Sequence, residues 1–457
     1  LRLNFKTKVR NLLRFYKTQM IVFIFMFLVL AGGVLLTLPI ASRSGESIGF
    51  LNALFTATSA TCVTGLVVVD TYQHWTLFGQ LIIITLIQVG GLGFMTMATL
   101  FSLLLRRAIS LNERLLIRES LNYENMQGIV RLTKHILVGT FFIELLGAIL
   151  LSFRFIPEFG VKSGIMKSIF HSVSAFCNAG FDIMGNKGAF SGLTTYVEDP
   201  LVNIVIMSLI VIGGIGFAVW EDIWTTHKIK KLSLHSKIVL SITSALILSG
   251  ALFFFVMEYN NPQTMQPLSF GGKVLASFFQ SITPRTAGYN TINLAGLTDS
   301  SKFITMILMF IGGSPGSTAG GIKVVTFCVL VFAAFSVVKG TSQVVIFHKR
   351  ISVNAVLRSM TITMIGIFVV AFGTLILSTS ESATFMEVLF ETVSAFGTVG
   401  LTLGITPMLS AVSKVCLIFI MFFGRVGVLA VALIFVKGMN TGSPDKIKYP
   451  EEKIMVG

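Results

Sequence analysis

Apolar and polar positions run along this chain in one order, repeated four times. A long apolar run is followed by a polar loop, a short apolar segment, a glycine-containing stretch and a second long apolar run. The long runs fall at about 20–38 and 76–105, 135–155 and 200–220, 237–257 and 303–338, and 356–377 and 411–437. An apolar run of about 20 residues can cross a bilayer core of about 30 Å. Each pair therefore predicts two membrane-spanning helices, eight in all. The short segments, at about 50–60, 164–176, 271–283 and 384–396, cannot cross and predict re-entrant half-helices. The first run, Met20 to Leu38, is too long for the apolar part of a secretion signal and lacks an A-x-A site, so it is expected to be retained.

The repeat is visible residue by residue. Phe55 to Leu66 reads F-T-A-T-S-A-T-C-V-T-G-L, Phe170 to Phe181 F-H-S-V-S-A-F-C-N-A-G-F, Phe278 to Tyr289 F-F-Q-S-I-T-P-R-T-A-G-Y, and Phe390 to Leu401 F-E-T-V-S-A-F-G-T-V-G-L. The shared glycines Gly65, Gly180, Gly288 and Gly400 are separated by 115, 108 and 112 residues, so whole structural units are repeated. A second mark keeps step: Gly90-Gly91-Leu92-Gly93, Gly213-Gly214-Ile215-Gly216, Gly312-Gly313-Ser314 and Gly424-Arg425-Val426-Gly427. Close packing of membrane helices explains single glycines. It does not explain two marks recurring together. Irregular backbone at membrane depth is tolerated only when buried in protein or lining a watery cavity. Four such stretches most economically share one cavity on a pseudo-fourfold axis.

Composition changes the picture in one respect. The chain has 457 residues, of which 54% are hydrophobic and 12% charged, against about 25% charged in soluble domains. Its net charge of +15 invites a nucleic-acid partner, but the distribution argues against one. Of 35 Lys and Arg, 24 lie in alternate connections: 1–18, 106–134, 226–237, 339–358 and 437–453. That bias is the positive-inside signature. It places both termini in the cytoplasm and the glycine stretches towards the outside. The basic residues of 1–18 are expected along the inner leaflet. Residues 109–122 read as an amphipathic helix, and 224–237 and 340–353 mix apolar and basic positions. These either lie flat on the membrane or form a platform for a cytosolic partner. The four cysteines (Cys62, Cys177, Cys328, Cys416) show neither zinc-ligand nor disulfide-framework spacing. The six histidines form no paired-ligand motif, and no nucleophile–base constellation is visible, so an enzyme is not expected.

A dehydrated cation needs oxygens in place of its water, and rings of backbone carbonyls supply them. Glycine permits conformations that aim successive carbonyls inwards. Thr398-Val399-Gly400 repeats the Thr-Val-Gly of tetrameric potassium channels, with Val63-Thr64-Gly65, Asn178-Ala179-Gly180 and Thr286-Ala287-Gly288 as looser relatives. Repeat three departs from its siblings. Its second run contains Gly312-Gly313-Ser314-Pro315-Gly316-Ser317-Thr318-Ala319-Gly320-Gly321. With about 1 kcal/mol lost per Gly and about 3 for Pro, that run cannot stay helical. It fails the phosphate-loop pattern, because Ile322 intervenes before Lys323 and no strand precedes it. Arg425 stands in register with Gly91, Gly214 and Gly313. The register predicts one guanidinium in the inner vestibule, given room by three glycines. An arginine at mid-membrane costs on the order of 2.5–3.5 kcal/mol, so it needs partners, and the 312–321 loop is the expected one. The two would form a constriction. The structural alternative is that Arg425 is only a staple.

These motifs, with S-P-G-S-T-A-G-G-I-K and F-G-R-V-G, resemble the Trk/Ktr/HKT superfamily of cation transporters, most nearly the membrane subunit of bacterial Ktr potassium uptake systems. The likeness spans Met20 to Met439. It implies an all-α integral membrane fold of four M1–P-loop–M2 repeats, with eight transmembrane helices and four re-entrant helices around one pseudo-fourfold pore. It implies potassium as the transported ion, bound only at the filter, with no covalently bound cofactor. All four filter positions are Gly, and in related plant transporters a Ser at the first goes with sodium preference. The resemblance further implies a homodimer in a bacterial plasma membrane, a cytosolic ring of ATP- and ADP-binding regulatory subunits acting on the 312–321 loop, and sodium-stimulated uptake. The expected organisation is a basic N-terminus (1–18), repeat one (19–108), a cytoplasmic connection (109–134), repeat two (135–223), a connection (224–236), repeat three (237–339), a connection (340–355), repeat four (356–439) and a cytoplasmic tail (440–457).

Three other acidic residues bear on mechanism. Asp182 and Glu391 lie beside the second and fourth filters and would add negative potential, or Glu391 would partner the dipole of a half-helix N-terminus. Glu144 lies within a span and raises a proton relay, against a purely structural role. The rival to channel-like conduction is a secondary transporter coupling potassium to sodium or protons, whose sites are charged and near the midplane.

Overall fold

The computed structural model describes residues 20, 22–93, 129–341 and 343–427. The basic segment 1–18, the stretch 109–122 and the tail 440–457 lie outside the described residues. So do the distal parts of the runs expected at 76–105 and 411–437. The described chain is almost wholly helical. It contains α1 (Val22–Thr37), α2 (Phe50–Thr61), a single turn α3 (Thr71–His74), α4 (Leu77–Leu92), α5 (Ile129–Phe159), α6 (Val161–Phe176), α7 (Pro200–Gly214), α8 (Phe217–Thr226) and α9 (Leu234–Glu258). These are followed by α10 (Phe270–Ile282), α11 (Asp299–Phe310), α12 (Val324–Val338), α13 (Val353–Ser380), α14 (Phe385–Gly397) and α15 (Ala411–Val426).

Local chemistry sets the helix starts. Asp199 caps α7 through the Val202 N–H at 3.1 Å, with Pro200 at the first helical position. Hydroxyls cap α4, α9, α10, α11, α13 and α15. Thr384 and Glu387 close a reciprocal capping box on α14. Each cap satisfies an amide that would otherwise be left without a partner. Helices α5, α9 and α13 have 31, 25 and 28 residues and are each long and apolar enough to cross a bilayer. By contrast α2, α6, α10 and α14 have only 12, 16, 13 and 13 residues. At 1.5 Å per residue they are about 18–24 Å long, short of the core thickness.

The helices close on themselves. Each long helix α5, α9 and α13 packs on the short helix that follows it. The helix after each glycine stretch packs on the short helix of the next: α4 on α6, α7 on α10, α11 on α14, and α15 back on α2. Glycine makes the approach possible. A Cβ at Gly90, Gly213 or Gly424 would strike the carbonyl oxygen of Thr61, Phe176 or Phe396, at the ends of α2, α6 and α14. Phe55, Phe170, Phe279 and Phe390 fill equivalent buried places on the four short helices, each at most 2% exposed. The third is Phe279, where sequence alignment chose Phe278. Repeat three is one residue shorter between its aromatic anchor and its glycine.

Three expectations are corrected by the backbone. The second long runs do not continue as single helices. Glycines with positive φ end or bend three of them: Gly93 (+80°), Gly216 (+94°) and Gly427 (+97°), a backbone region open mainly to glycine. The α7–α8 pair is bent by 92° at Gly216, and residues 311–323 separate α11 from α12. Within the stretch 340–353 the chain makes a hairpin at 345–350 rather than a surface helix, with β1 (Val345–Ile346) antiparallel to β2 (Lys349–Arg350). Its turn residues Phe347 and His348 both have positive φ, as a tight primed turn requires. Residues 224–237 are divided between the end of α8, a 3-10 turn at Ile229–Lys231 and the start of α9.

Substituting Gly213 with Val should break the α7–α6 contact, because the Phe176 carbonyl it would strike is backbone and cannot swing aside. Overpacking of this kind costs about 1–3 kcal/mol. The expected result is a lower melting temperature and less monodisperse protein in detergent, read by a thermal-shift assay beside size-exclusion chromatography.

Candidate functional site

The four glycine stretches share one unusual backbone. Val63, Asn178, Thr286 and Thr398 have φ of +58°, +60°, +69° and +50°. Two residues later Gly65, Gly180, Gly288 and Gly400 have φ of +95°, +68°, +78° and +91°. The residue between them does not. Alternating hands turn successive peptide carbonyls to the same side of the strand. For a β-branched residue such as Val63 or Thr398 this is strained, at a cost of about 1–3 kcal/mol, and persists only where surroundings enforce it.

The four stretches also touch in a ring. A Cβ added to Gly65 would strike the Ala179 carbonyl oxygen, one on Gly180 that of Ala287, one on Gly288 that of Val399, and one on Gly400 that of Thr64. Each glycine thus faces the middle residue of the next stretch, in the same cyclic order as the helices. Any larger residue at these four positions would push apart two backbones that are already in contact.

A hydroxyl holds each stretch in place. The middle residues Thr64, Ala179 and Val399 donate their N–H to the carbonyls of Ser59, Ser174 and Ser394 at 2.7, 2.8 and 2.9 Å. In repeat three, one residue shorter, Ala287 donates to Thr283 at 2.9 Å. The side chains of the same four residues complete the clamp. Ser59 and Ser394 accept from the Gly65 and Gly400 N–H at 3.0 and 3.1 Å. Ser174 and Thr283 donate to the carbonyls of Phe181 and Tyr289 at 2.8 and 2.5 Å. The Tyr289 hydroxyl donates to the Phe181 carbonyl at 2.9 Å, linking stretches two and three. Sequence reasoning passed over these anchors. Their signal was a Ser or Thr five or six residues before each glycine.

Adjoining this ring lies the 312–321 segment. Its ends are joined by Gly312 N–H to Ile322 carbonyl at 2.8 Å and Val324 N–H to Gly313 carbonyl at 3.0 Å. Ser314 and Thr318 donate to the carbonyls of Gly214 and Gly213, and Phe217 donates back to Gly316. The segment is thereby stitched to the bend between α7 and α8. Its other wall is the fourth stretch: a Cβ at Gly320 would strike the Thr398 side chain. Pro315, Gly316, Ser317, Ala319 and Gly321 complete the loop.

Arg425, near the end of α15, reaches this loop. Its guanidinium donates to the Thr318 carbonyl, and to the carbonyls of Gly90 and Gly91 on α4 at 2.5 and 2.9 Å. The α4 carbonyls were missed by sequence reasoning, which looked only to the loop. The room for the guanidinium is also not made by three glycine Cα positions. The nearest neighbours of a Cβ at Gly91, Gly214 and Gly313 would be Cys177, Asn178 and Ala319. Lys323 holds the loop from the other side, donating to the carbonyls of Ala319 and Gly320 at 2.7 and 3.3 Å. Three consecutive loop carbonyls thus carry protein cations.

Four further charged residues, Arg285, Asp182, Glu391 and Glu144, bond to the protein around the ring. Arg285 donates to the Thr243 carbonyl and hydroxyl at 3.4 and 3.2 Å, and lines a small cavity with Gly214 and Gly313. Asp182 accepts from the Met184 N–H at 2.9 Å. Glu391 is fully buried and accepts from Thr402 at 2.7 Å and from Thr406. It lies in the middle of α14, not at its N-terminus, where Glu387 stands instead. Glu144 accepts from Gln88 at 3.1 Å and lies 3.9 Å from the Cys177 sulfur.

Comparison with known proteins agrees with this architecture. The TrkH cation transport protein family model matches residues 3–446. The chain is 42% identical to the potassium/sodium uptake protein NtpJ of Enterococcus hirae over 99% of both chains. It is 40% identical to the Ktr system potassium uptake protein B of Bacillus subtilis, again over 99% of both. With the protein of the same name from Vibrio alginolyticus it shares 39% identity, over 96% of this chain and 94% of that one. The crystal structure of the potassium transporter TrkH from Vibrio parahaemolyticus superimposes with a TM-score of 0.71 over 91% of this chain and 84% of that one, at 17% identity, which shows the shared helical membrane fold. The chain belongs to the TrkH family of cation transport proteins.

Proposed function

We propose that this chain is the ion-conducting membrane subunit of a bacterial potassium uptake system, built as four M1–P-loop–M2 repeats around one pore. The observation that carries the reading is the ring of Gly65, Gly180, Gly288 and Gly400, with alternating backbone hand in all four stretches. Carbonyls gathered at one level can replace the hydration shell of a cation. Val63, Thr64 and Gly65, Asn178, Ala179 and Gly180, Thr286, Ala287 and Gly288, and Thr398, Val399 and Gly400 form the filter in this reading. Names of relatives point to potassium, and one adds sodium. The charge bias of the connections supports cytoplasmic termini.

Residues 312–321 with Arg425 act as the gate. The loop lies on the inner side of the ring against Thr398, and its carbonyls are held by cations rather than by helix bonds. A loop so held has two ways to satisfy its carbonyls, protein cation or passing ion with water, and so can have two states. The Ktr system names of the relatives favour a regulatory partner. A cytosolic nucleotide-binding ring beneath a homodimer would bias the loop between those states. Channel-like conduction is favoured over coupled symport because the polar partners of Glu144 are an amide and a thiol, not a chain of titratable groups.

Liposomes carrying the full chain alone, with the membrane potential clamped, test the conduction mechanism. Potential-driven flux preferring potassium and rubidium over sodium, without a sodium or proton gradient, is expected. Flux that disappears when those gradients are removed would instead establish symport. In the same liposomes Arg425→Ala should raise potassium flux several-fold by freeing the Thr318 carbonyl. Flux equal to that of the native chain would reduce Arg425 to a structural staple.

A further inference from the structure

Behind the ring the four repeats share a second set of side chains. Three residues before each anchoring hydroxyl, the short helices carry Thr56, His171, Gln280 and Glu391. Residues three apart share a helix face, so these lie on the same side as Ser59, Ser174, Thr283 and Ser394. All four are at most 1% exposed. Thr56 donates within its own helix, to the Asn52 carbonyl at 3.0 Å. His171 lies 3.4 Å from the Ile183 N–H, three residues beyond Gly180. The Gln280 amide has no partner among the described residues. Glu391 alone brings a carboxyl group.

That carboxyl gathers the strand leaving the fourth filter stretch. Thr402 and Thr406, two and six residues past Gly400, both donate to it, Thr402 at 2.7 Å. The Gly404 N–H in turn donates to the Thr402 hydroxyl at 3.0 Å. Burying a carboxyl is unfavourable unless hydrogen bonds compensate. The other three repeats form the same helix and the same glycine turn with Thr, His or Gln at this position, so the architecture itself does not demand it. The strand it holds is, like each of the four, shared between two ring contacts: Gly400 packs on the Thr64 carbonyl and Val399 on Gly288. A shift there disturbs two of the four contacts in the ring.

We infer that Glu391 is a positioning residue for ion selectivity. Through Thr402 and Thr406 it fixes the outer strand of the fourth filter stretch, and with it the carbonyl spacing around the whole ring. This inference rests on the filter reading above.

The test is the ratio of potassium to sodium flux in liposomes carrying the full chain, measured for the native protein, Glu391→Gln, Thr402→Val and Thr392→Val. Thr392 neighbours Glu391 on α14 but bonds to Thr374 of α13 at 2.8 Å, so it controls for general disturbance of the helix. In Glu391→Gln and Thr402→Val the ratio should fall by on the order of tenfold, the factor that one ordinary hydrogen bond represents. Total flux and melting temperature should stay near native, and Thr392→Val should keep the native ratio. A native protein without potassium preference would overturn the filter reading itself. A selective native protein whose Glu391→Gln and Thr402→Val variants keep its ratio would overturn only this inference. So would a Thr392→Val variant that loses selectivity equally. If Glu391→Gln does not fold, Thr402→Val decides alone.

Discussion

Everything in this structure follows from bringing four glycine backbones into contact around one line. Gly65, Gly180, Gly288 and Gly400 each abut the carbonyl of the neighbouring stretch, with no space for a Cβ between them. Backbone so placed cannot make helix or sheet bonds, and lipid offers no alternative partner. The surrounding protein must therefore supply partners one by one. It does so through a hydroxyl at the end of each short helix, whose carbonyl and side chain together clamp the turn. The strained φ angles of Val63, Asn178, Thr286 and Thr398 are the cost of that arrangement.

The second glycine mark serves the same end one layer further in. Gly90, Gly213 and Gly424 let α4, α7 and α15 press against the carbonyl ends of the short helices. Just beyond these contacts the helices stop or turn, at Gly93, Gly216 and Gly427. In repeat three the same position opens into the 312–321 loop, which bonds to the α7–α8 bend and to Arg425. Arg425 in turn grips the end of α4. The loop thus touches the α7–α8 bend, the fourth stretch and α15 directly, and is linked to α4 through Arg425.

Much of this was legible in the sequence. Apolar periodicity located the four short helices within a few residues, and paired glycine marks gave the fourfold order, because both reflect local constraints repeated in every unit. The breaks at Gly93, Gly216 and Gly427 were missed because an apolar run reads the same whether its helix is straight or bent. The hairpin at 345–350 was missed because its register depends on two left-handed residues, Phe347 and His348, that composition does not mark. The one-residue contraction in repeat three and the Arg425 contacts with α4 are matters of three-dimensional register. No count of spacing reveals which carbonyl a guanidinium reaches across more than 300 residues.

The central claim is that the four glycine stretches bind the transported ion together. Crystals of the full chain grown in rubidium, with anomalous diffraction recorded at the rubidium edge, test it most directly. The account predicts a strong peak enclosed by the carbonyls of all four stretches, at the level of Gly65, Gly180, Gly288 and Gly400. A well-occupied peak elsewhere, such as beside Glu144, with the glycine ring empty, would contradict it.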